Sequence, residues 1–135
     1  MAQVQEVNVL LVDDHAATRT FLKRLLQAND LRVVGEAANG LEAVRQCQQL
    51  RPDVVVLDVS MPLLNGFEAA QQIAQVSPDS KIVFLTGHVL KEYAREAFRL
   101  GGAGFVFKER AVRDLTAAIE TALRGGTYLS DVPVA

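Results

Sequence analysis

The feature that most constrains this chain is a set of short, unbroken aliphatic runs separated by stretches with helical periodicity. Val9-Leu10-Leu11-Val12, Val54-Val55-Val56-Leu57, Ile82-Val83-Phe84-Leu85 and Phe105-Val106-Phe107 do not alternate apolar with polar residues. A strand reads this way when both of its faces are buried, as in a parallel sheet covered by helices. A further run at about Leu31 to Ala37 carries Arg32 and Glu36 and suits an edge strand. Five βα units in succession require right-handed crossovers between parallel strands. The expected fold is therefore α/β, a flavodoxin-like (βα)5 three-layer sandwich. Its parallel five-stranded sheet has the order 2-1-3-4-5, which sets strands 1 and 3 side by side at the topological switch point.

Predicted strands cover about Val7 to Val12, Leu31 to Ala37, Val54 to Leu57, Ile82 to Leu85 and Gly104 to Phe107. A first helix is predicted from about Ala16 to Ala28, with Ala17, Phe21, Leu22, Leu25 and Leu26 on one apolar stripe. Asn39-Gly40 leads into a second helix, where Ala43, Cys47 and Leu50 recur at i, i+4, i+7 and Pro52 forces the stop. The third helix, about Gly66 to Val76, presents Phe67, Ala70, Ile73 and Ala74. The fourth spans about Leu90 to Leu100 and ends at Gly101-Gly102. The fifth spans about Val112 to Arg124, with Val112, Leu115, Ile119 and Ala122 inward and Gly125 beyond it.

Composition narrows the function. Fourteen basic against sixteen acidic residues give a net charge of −2, with no basic stripe of the kind nucleic-acid binding demands, so this chain is not expected to bind nucleic acid directly. At 135 residues it is one domain, and no apolar run is long enough to span a membrane. The N-terminus lacks the basic-then-apolar layout of a signal peptide, so a cytoplasmic protein is expected. The single cysteine, Cys47, lies on an apolar helix face and reads as a core residue.

The chemistry collects at the ends of the runs. Asp13 and Asp14 follow the first, Asp58 follows the run through Leu57, Thr86 follows Leu85, and Lys108 follows Phe107. In an open parallel sheet all of these meet at the carboxyl edge, where such sheets place their ligands. Three carboxylates there repel one another unless a cation is bound, and an oxygen-rich site suits Mg²⁺. Two acids, a third acid, a hydroxyl and a lysine describe a metal-assisted phosphoryl-acceptor site, with Asp58 as the acceptor.

At these residues the chain resembles the receiver domain of two-component response regulators. The resemblance rests on Asp13-Asp14, on Asp58-Val59-Ser60-Met61-Pro62 with Gly66 beyond, on Thr86, and on Lys108 behind Gly101-Gly102-Ala103-Gly104. Asp13-Asp14-His15, Gly104-Phe105-Val106-Phe107-Lys108 and Gly125-Gly126-Thr127-Tyr128-Leu129 look most like the subfamily that usually carries a C-terminal helix-turn-helix. The resemblance implies a receiver domain over residues 1–125, followed by a tail or the start of a linker over 126–135. It implies direct metal binding by Asp14 and Asp58, binding by Asp13 through water, and a protein ligand in the backbone carbonyl of Ser60. It implies that Thr86 and Lys108 contact the phosphoryl group, that Thr86 and Phe105 form the switch, and that Ser60 and His88 tune the lifetime of the adduct.

The implied partners are a sensor histidine kinase or phosphotransfer protein, with a possible homodimer on phosphorylation. The implied activity is confined to the protein's own phosphorylation and dephosphorylation, so it is not an enzyme acting on another substrate. Kinase docking is expected on the side of the first helix that carries Thr18, Arg19 and Lys23, together with the loop after Lys108. Alternation along the last strand puts Val106 on the opposite face and leaves open which of Phe105 and Phe107, if either, is exposed. Glu109 stands where many receivers have a proline, so a trans Lys108-Glu109 peptide is expected. A haloacid-dehalogenase-like phosphatase would need an acid two residues after the nucleophile, and Ser60 stands there. A flavodoxin relative would need a phosphate-cradling loop after the first strand, where Asp13-Asp14 would repel the phosphate.

Overall fold

The structure is a computed structural model, described for residues 6–88 and 91–131. Strands β1 (Asn8–Val12), β2 (Arg32–Ala37), β3 (Val54–Asp58), β4 (Lys81–Thr86), β5 (Gly104–Phe107) and β6 (Tyr128–Leu129) form one sheet in the order β2-β1-β3-β4-β5-β6. All neighbours pair in parallel. The helices are α1 (Ala16–Ala28), α2 (Gly40–Leu50), α3 (Gly66–Val76), α4 (Lys91–Arg99) and α5 (Ala111–Leu123). The expected start of the fourth helix at Leu90 lies outside the described residues.

Unbroken aliphatic strands arise because each face of the sheet has its own core. Val9, Leu11, Val54, Val56, Val83, Leu85 and Val106 pack with Leu22 and Leu26 of α1 and with Leu115 and Ile119 of α5. Leu10, Val12, Val55, Leu57, Phe84, Phe105 and Phe107 point the other way, onto Ala43 and Cys47 of α2, Ala70 and Ile73 of α3, and Ala97 of α4. Each such large side chain, fully buried, contributes about 1.5–3 kcal/mol. Burial pushes the Cys47 thiol up to about 12, which leaves it a protonated core residue. The edge strand β2 is irregular: Val9 pairs with Val33 but Leu10 pairs with Gly35, so a bulge falls at Val34.

The helix ends follow their residues. Asn39 caps α2 and Asn65 forms a capping box with Glu68 at α3. Gly101 (φ 87°) and Gly125 (φ 84°) adopt the left-handed conformation after α4 and α5, and the amides of Gly102 and Gly126 close back onto Ala97 and Thr121.

Several expected core positions are solvent-facing. Phe21 is 51% and Val112 69% exposed, and Leu50, Ala17 and Ala74 are exposed as well. Each helix meets the sheet along one narrow row, Leu22 and Leu26 in α1 or Ala69, Ala70 and Ile73 in α3, and residues about 100° off that row face water. The expected docking side of α1 is partly tethered. The Arg19 guanidinium donates to the Asp13 carbonyl (2.6 Å) and to Glu36 (3.3 Å), and Lys23 lies 3.8 Å from Glu36.

The stretch read as a tail contains the sixth strand. The amides of Tyr128 and Ser130 donate to the Ala103 and Phe105 carbonyls (both 2.9 Å), extending the sheet beyond β5. A buried carboxylate, Asp114, holds this segment down: the Tyr128 hydroxyl, the Ser130 hydroxyl and Arg113 Nε all donate to it at 2.8 Å. Arg113, then the two hydroxyls, draw the Asp114 carboxyl down to about 2 against the effect of burial. Because its folded pKa is depressed, the stability Asp114 contributes is complete above the unfolded value near 3.9 and is lost as pH falls through about 2. Asp114→Ala should lower unfolding free energy by about 2–3 kcal/mol at neutral pH. In denaturant titrations that deficit should shrink under strong acid, and a pH-independent deficit would assign the loss to packing alone.

Candidate functional site

Strand register brings the polar residues together. Val12 pairs with Leu57, so Asp13 and Asp58 leave adjacent strands at the same level; Asp58 pairs with Leu85 and Thr86 with Phe107, so Thr86 and Lys108 each follow one step further along the twisted edge. Asp13, Asp58 and Thr86 are buried, with 1%, 3% and 0% exposure. The site is thus a set of acids and a hydroxyl set into the end of the sheet.

Lys108 lies between the two buried carboxylates. Its Nζ is 2.8 Å from Asp13 Oδ2, an ion pair without a well-aligned hydrogen bond, and donates to Asp58 Oδ2 at 3.3 Å. Burial opposes the ammonium charge, but the Asp13 and Asp58 carboxylates outweigh it and hold the Lys108 pKa above its ordinary value. Asp58 is driven the other way. Burial first, then the neighbouring Asp13 charge, push its carboxyl up to about 6, and Lys108 and the Ser60 amide (3.3 Å) offset only part of this. One ammonium does not neutralise two buried acids, so the site carries a deficit of positive charge.

At the mouth, the Asp14 side chain is 29% exposed and the His15 ring lies close to both acids, with Nδ1 3.1 Å from Asp14 Oδ1 and 3.5 Å from Asp13 Oδ1. Asp13, Asp14 and His15 offer ligand atoms within 4.8 Å of one another, a donor set dominated by carboxylate oxygens that fits a hard divalent cation. Asp58 stands outside this group and reaches Asp13 through Lys108. Neither acid caps α1 through its N-cap; instead Asp13 Oδ1 accepts the His15 amide (2.9 Å) and is fixed by it.

The loop after Asp58 is pinned by Gly66, whose amide donates to the Val59 carbonyl at 2.9 Å. A Cβ at Gly66 would collide with the Asp58 carbonyl oxygen and lie 2.8 Å from Val59 Cα. Gly87, by contrast, faces open space beside the Lys108 stem, 3.9 Å away. The Thr86 hydroxyl accepts the His88 amide (3.0 Å), and the side chains of Ser60 and His88 are exposed. Every described peptide bond is trans, that of Lys108-Glu109 included, and Lys108 opens a short 3₁₀ turn to Arg110.

Phe105 and Phe107 share the face toward α3 and α4, and both are buried: Phe105 is 0% exposed and meets Phe107 edge-on, ring centres 5.6 Å apart. One residue bordering the site, Tyr93, escaped the sequence reading. Phe67 and Tyr93 line, with Val59, Ser60, Met61 and Asn65, a cleft of about 380 Å³ beside the Asp58 loop. The i, i+4 pair Tyr93 and Ala97 in α4 was the signal that could have found Tyr93.

Two outcomes follow from this geometry. In metal-free buffer the raised Asp58 pKa makes the native state the stronger proton binder, so stability falls as pH rises from about 4 to about 6 and is flat above. Asp58→Asn should therefore be more stable than the wild type at neutral pH by about 1–3 kcal/mol, with the gap closing below about pH 4. Gly66→Ala should lower stability by about 1–3 kcal/mol. By shifting the Asp58 loop it should also weaken divalent-cation binding in calorimetric titration; unchanged binding would show that the loop accommodates the methyl group elsewhere.

Comparison with known proteins agrees with this arrangement. The family model for "Response regulator receiver domain" matches residues 9–120. "Response regulator UvrY" of Escherichia coli (strain K12) is 38% identical over 125 residues, covering 92% of this chain and 57% of that protein. "Nitrate/nitrite response regulator protein NarL" of the same strain is 33% identical over 132 residues, covering 97% of this chain and 61% of that protein. The chain thus spans about three fifths of the length of these curated relatives. A crystal structure of a two-component response regulator of the LuxR family from Aurantimonas sp. SI85-9A1 superposes with a TM-score of 0.88. It is 34% identical, and the match covers 96% of this chain and 91% of that one. With the acid pair, the strand-end aspartate and the bridging lysine in place, the chain belongs to the receiver domains of two-component response regulators.

Proposed function

We propose that Asp58 is the phosphoacceptor and that Asp13, Asp14, Asp58 and the Ser60 carbonyl hold Mg²⁺. The observation that carries this reading is Lys108, whose single ammonium reaches two buried carboxylates and leaves negative charge for a second cation to balance. Bound Mg²⁺ would supply the charge that lets an anionic donor approach three acids and would favour the ionised Asp58. Asp58 Oδ attacks phosphorus, the P–N bond of a phosphohistidine donor breaks, and its electron pair stays on the departing imidazole nitrogen, which takes up a proton. Lys108 moves its contact from carboxylate to phosphoryl oxygen, and Thr86 donates its hydroxyl to another. Ser60 and His88, exposed beside the site, set the access of water and so the lifetime of the adduct.

The donor is a sensor histidine kinase or phosphotransfer protein, and the protein works in the cytoplasm. No described helix is long and apolar enough to cross a membrane. The kinase docks on the outer side of α1, through Ala17, Thr20, Phe21 and Arg24 in place of the tethered Arg19 and Lys23, and on the loop after Lys108. The chain catalyses only its own phosphorylation and dephosphorylation. Phosphorylation switches its conformation to control an output domain or a partner, and promotes a homodimer.

Incubation with a small phosphodonor and Mg²⁺ should give one acid-stable, alkali-labile phosphoryl adduct by intact mass. Asp58→Ala should abolish it. Labelling that persists in that variant, or that proceeds fully in chelator, would remove Asp58 and the metal from the reading.

A further inference from the structure

We infer that His15 is a nitrogen ligand of the cation site at Asp13 and Asp14, and that it turns this site toward divalent first-row transition ions such as Co²⁺ and Zn²⁺ in preference to Mg²⁺. The inference rests on the proposed cation site and deepens it by naming a further ligand and the class of ion that ligand selects.

The His15 side chain is not used by the helix it precedes. It stands at the N-cap of α1, where Ser, Thr, Asn or Asp would accept an amide of the first turn, and it makes no such hydrogen bond. At 70% exposure it is not part of the core either. The ring is turned instead onto two acids, with Nδ1 3.1 Å from Asp14 Oδ1 and 3.5 Å from Asp13 Oδ1. Two donor atoms held by one ion at about 2.1 Å each stand about 3 Å apart when they take neighbouring positions around it. The observed separations suit a shared ion as well as a plain hydrogen bond, and the surroundings decide between the two.

Asp13 is 1% exposed, and its Oδ2 has no hydrogen-bond donor, meeting the Lys108 ammonium only as an ion pair. A buried carboxylate oxygen in that condition is satisfied by a bound cation. The backbone holds the donors ready for one. The Asp13 amide donates to the Ala37 carbonyl (3.1 Å), and the Arg19 guanidinium donates to the Asp13 carbonyl (2.6 Å). The His15 amide donates to Asp13 Oδ1 (2.9 Å), and the His15 carbonyl accepts the Arg19 amide (3.1 Å). Three consecutive residues, their ligand atoms within 4.8 Å of one another, are thus tied to the end of β2 and to the first turn of α1. Such preorganisation is what a tight metal site needs.

Ligand chemistry then sets the choice of ion. Mg²⁺ prefers oxygen donors and gives up its waters reluctantly, so an imidazole offers it little. Co²⁺, Ni²⁺ and Zn²⁺ gain from an imidazole nitrogen, and their affinities for mixed nitrogen and oxygen sites exceed that of Mn²⁺. Carboxylates alone do not separate these ions sharply from Mg²⁺, and His15 adds the donor that does. Of the two histidines in the chain, His15 is the one that stands in a cluster of acids among the described residues.

Calorimetric titration of the metal-free protein with Mg²⁺ and, separately, with Co²⁺ tests the inference through the ratio of the two dissociation constants. The wild type should bind Co²⁺ more tightly. His15→Leu should raise the Co²⁺ Kd by about tenfold or more while leaving the Mg²⁺ Kd within about threefold, since losing even an outer partner of a metal ligand costs roughly 10–100-fold. His15→Asn keeps a hydrogen-bond donor near the Nδ1 position but has no imidazole, and it should lose the Co²⁺ preference in the same way. Diamagnetic Zn²⁺ should shift a histidine ring-nitrogen resonance of the wild type that is missing from the His15→Asn spectrum. A ratio unchanged in both variants would overturn the inference. So would a His15→Asn protein that keeps the wild-type ratio while His15→Leu weakens both ions alike, because His15 would then only hold Asp14 in place. Failure of the wild type to bind Mg²⁺, or Mg²⁺ binding untouched by Asp13→Asn, would instead overturn the cation-site reading on which the inference stands.

Discussion

The ammonium of Lys108, set between Asp13 and Asp58, is the contact on which the rest of the site depends. Two buried carboxylates on adjacent strands would otherwise repel each other where little water is present to screen them. The lysine lessens that repulsion without removing it, as the Asp58 carboxyl, pushed up to about 6, records. A site left short of positive charge favours whatever cation or donor brings some, and it gives up stability in the metal-free state to do so. The affinity of the site for a cation and its cost to the metal-free fold come from the same electrostatic source.

This arrangement requires a rigid frame, and the sheet supplies it. Because helices cover both faces, every residue from Val9 to Val12 and from Val54 to Asp58 is buried, and the strand ends hold their levels relative to one another. The loops are fixed just as closely where the chemistry needs it. Gly66 lets α3 begin against the Asp58 backbone, and the Asn65–Glu68 capping box fixes where that helix starts. Of the described residues of α4 only Ala97 is fully buried, and Tyr93, Ala94 and Phe98 pack half-buried against the core that α3 shares.

How far the sequence could be read varied with the range of the interaction. Asp13, Asp58, Thr86 and Lys108 were legible because each directly follows an unbroken aliphatic run, and a parallel sheet brings all such positions to one edge. Phe21, Val112 and Leu50 were misplaced because an apolar side chain at roughly helical spacing says nothing about how narrow the row of contact is. Tyr128 and Leu129 read as tail because a two-residue strand has no periodicity. Its place depends on Asp114, which is fourteen residues upstream of Tyr128 and was itself unremarked on the fifth helix.

The sequence by itself determined the layering of this protein, the order of its first five strands and the acids, hydroxyl and lysine that would share an edge. Hydrophobic period and strand-end position are local properties that survive in a one-dimensional text. Only the tertiary structure decided that Lys108 reaches both Asp13 and Asp58, that Phe105 is sealed beneath Phe107's edge, and that the Tyr93 ring of α4 meets the His88 ring of the loop after β4. Those are distances between side chains far apart along the chain or set by rotamer and packing. They are fixed by the joint burial of many residues at once, and no single window of sequence contains them.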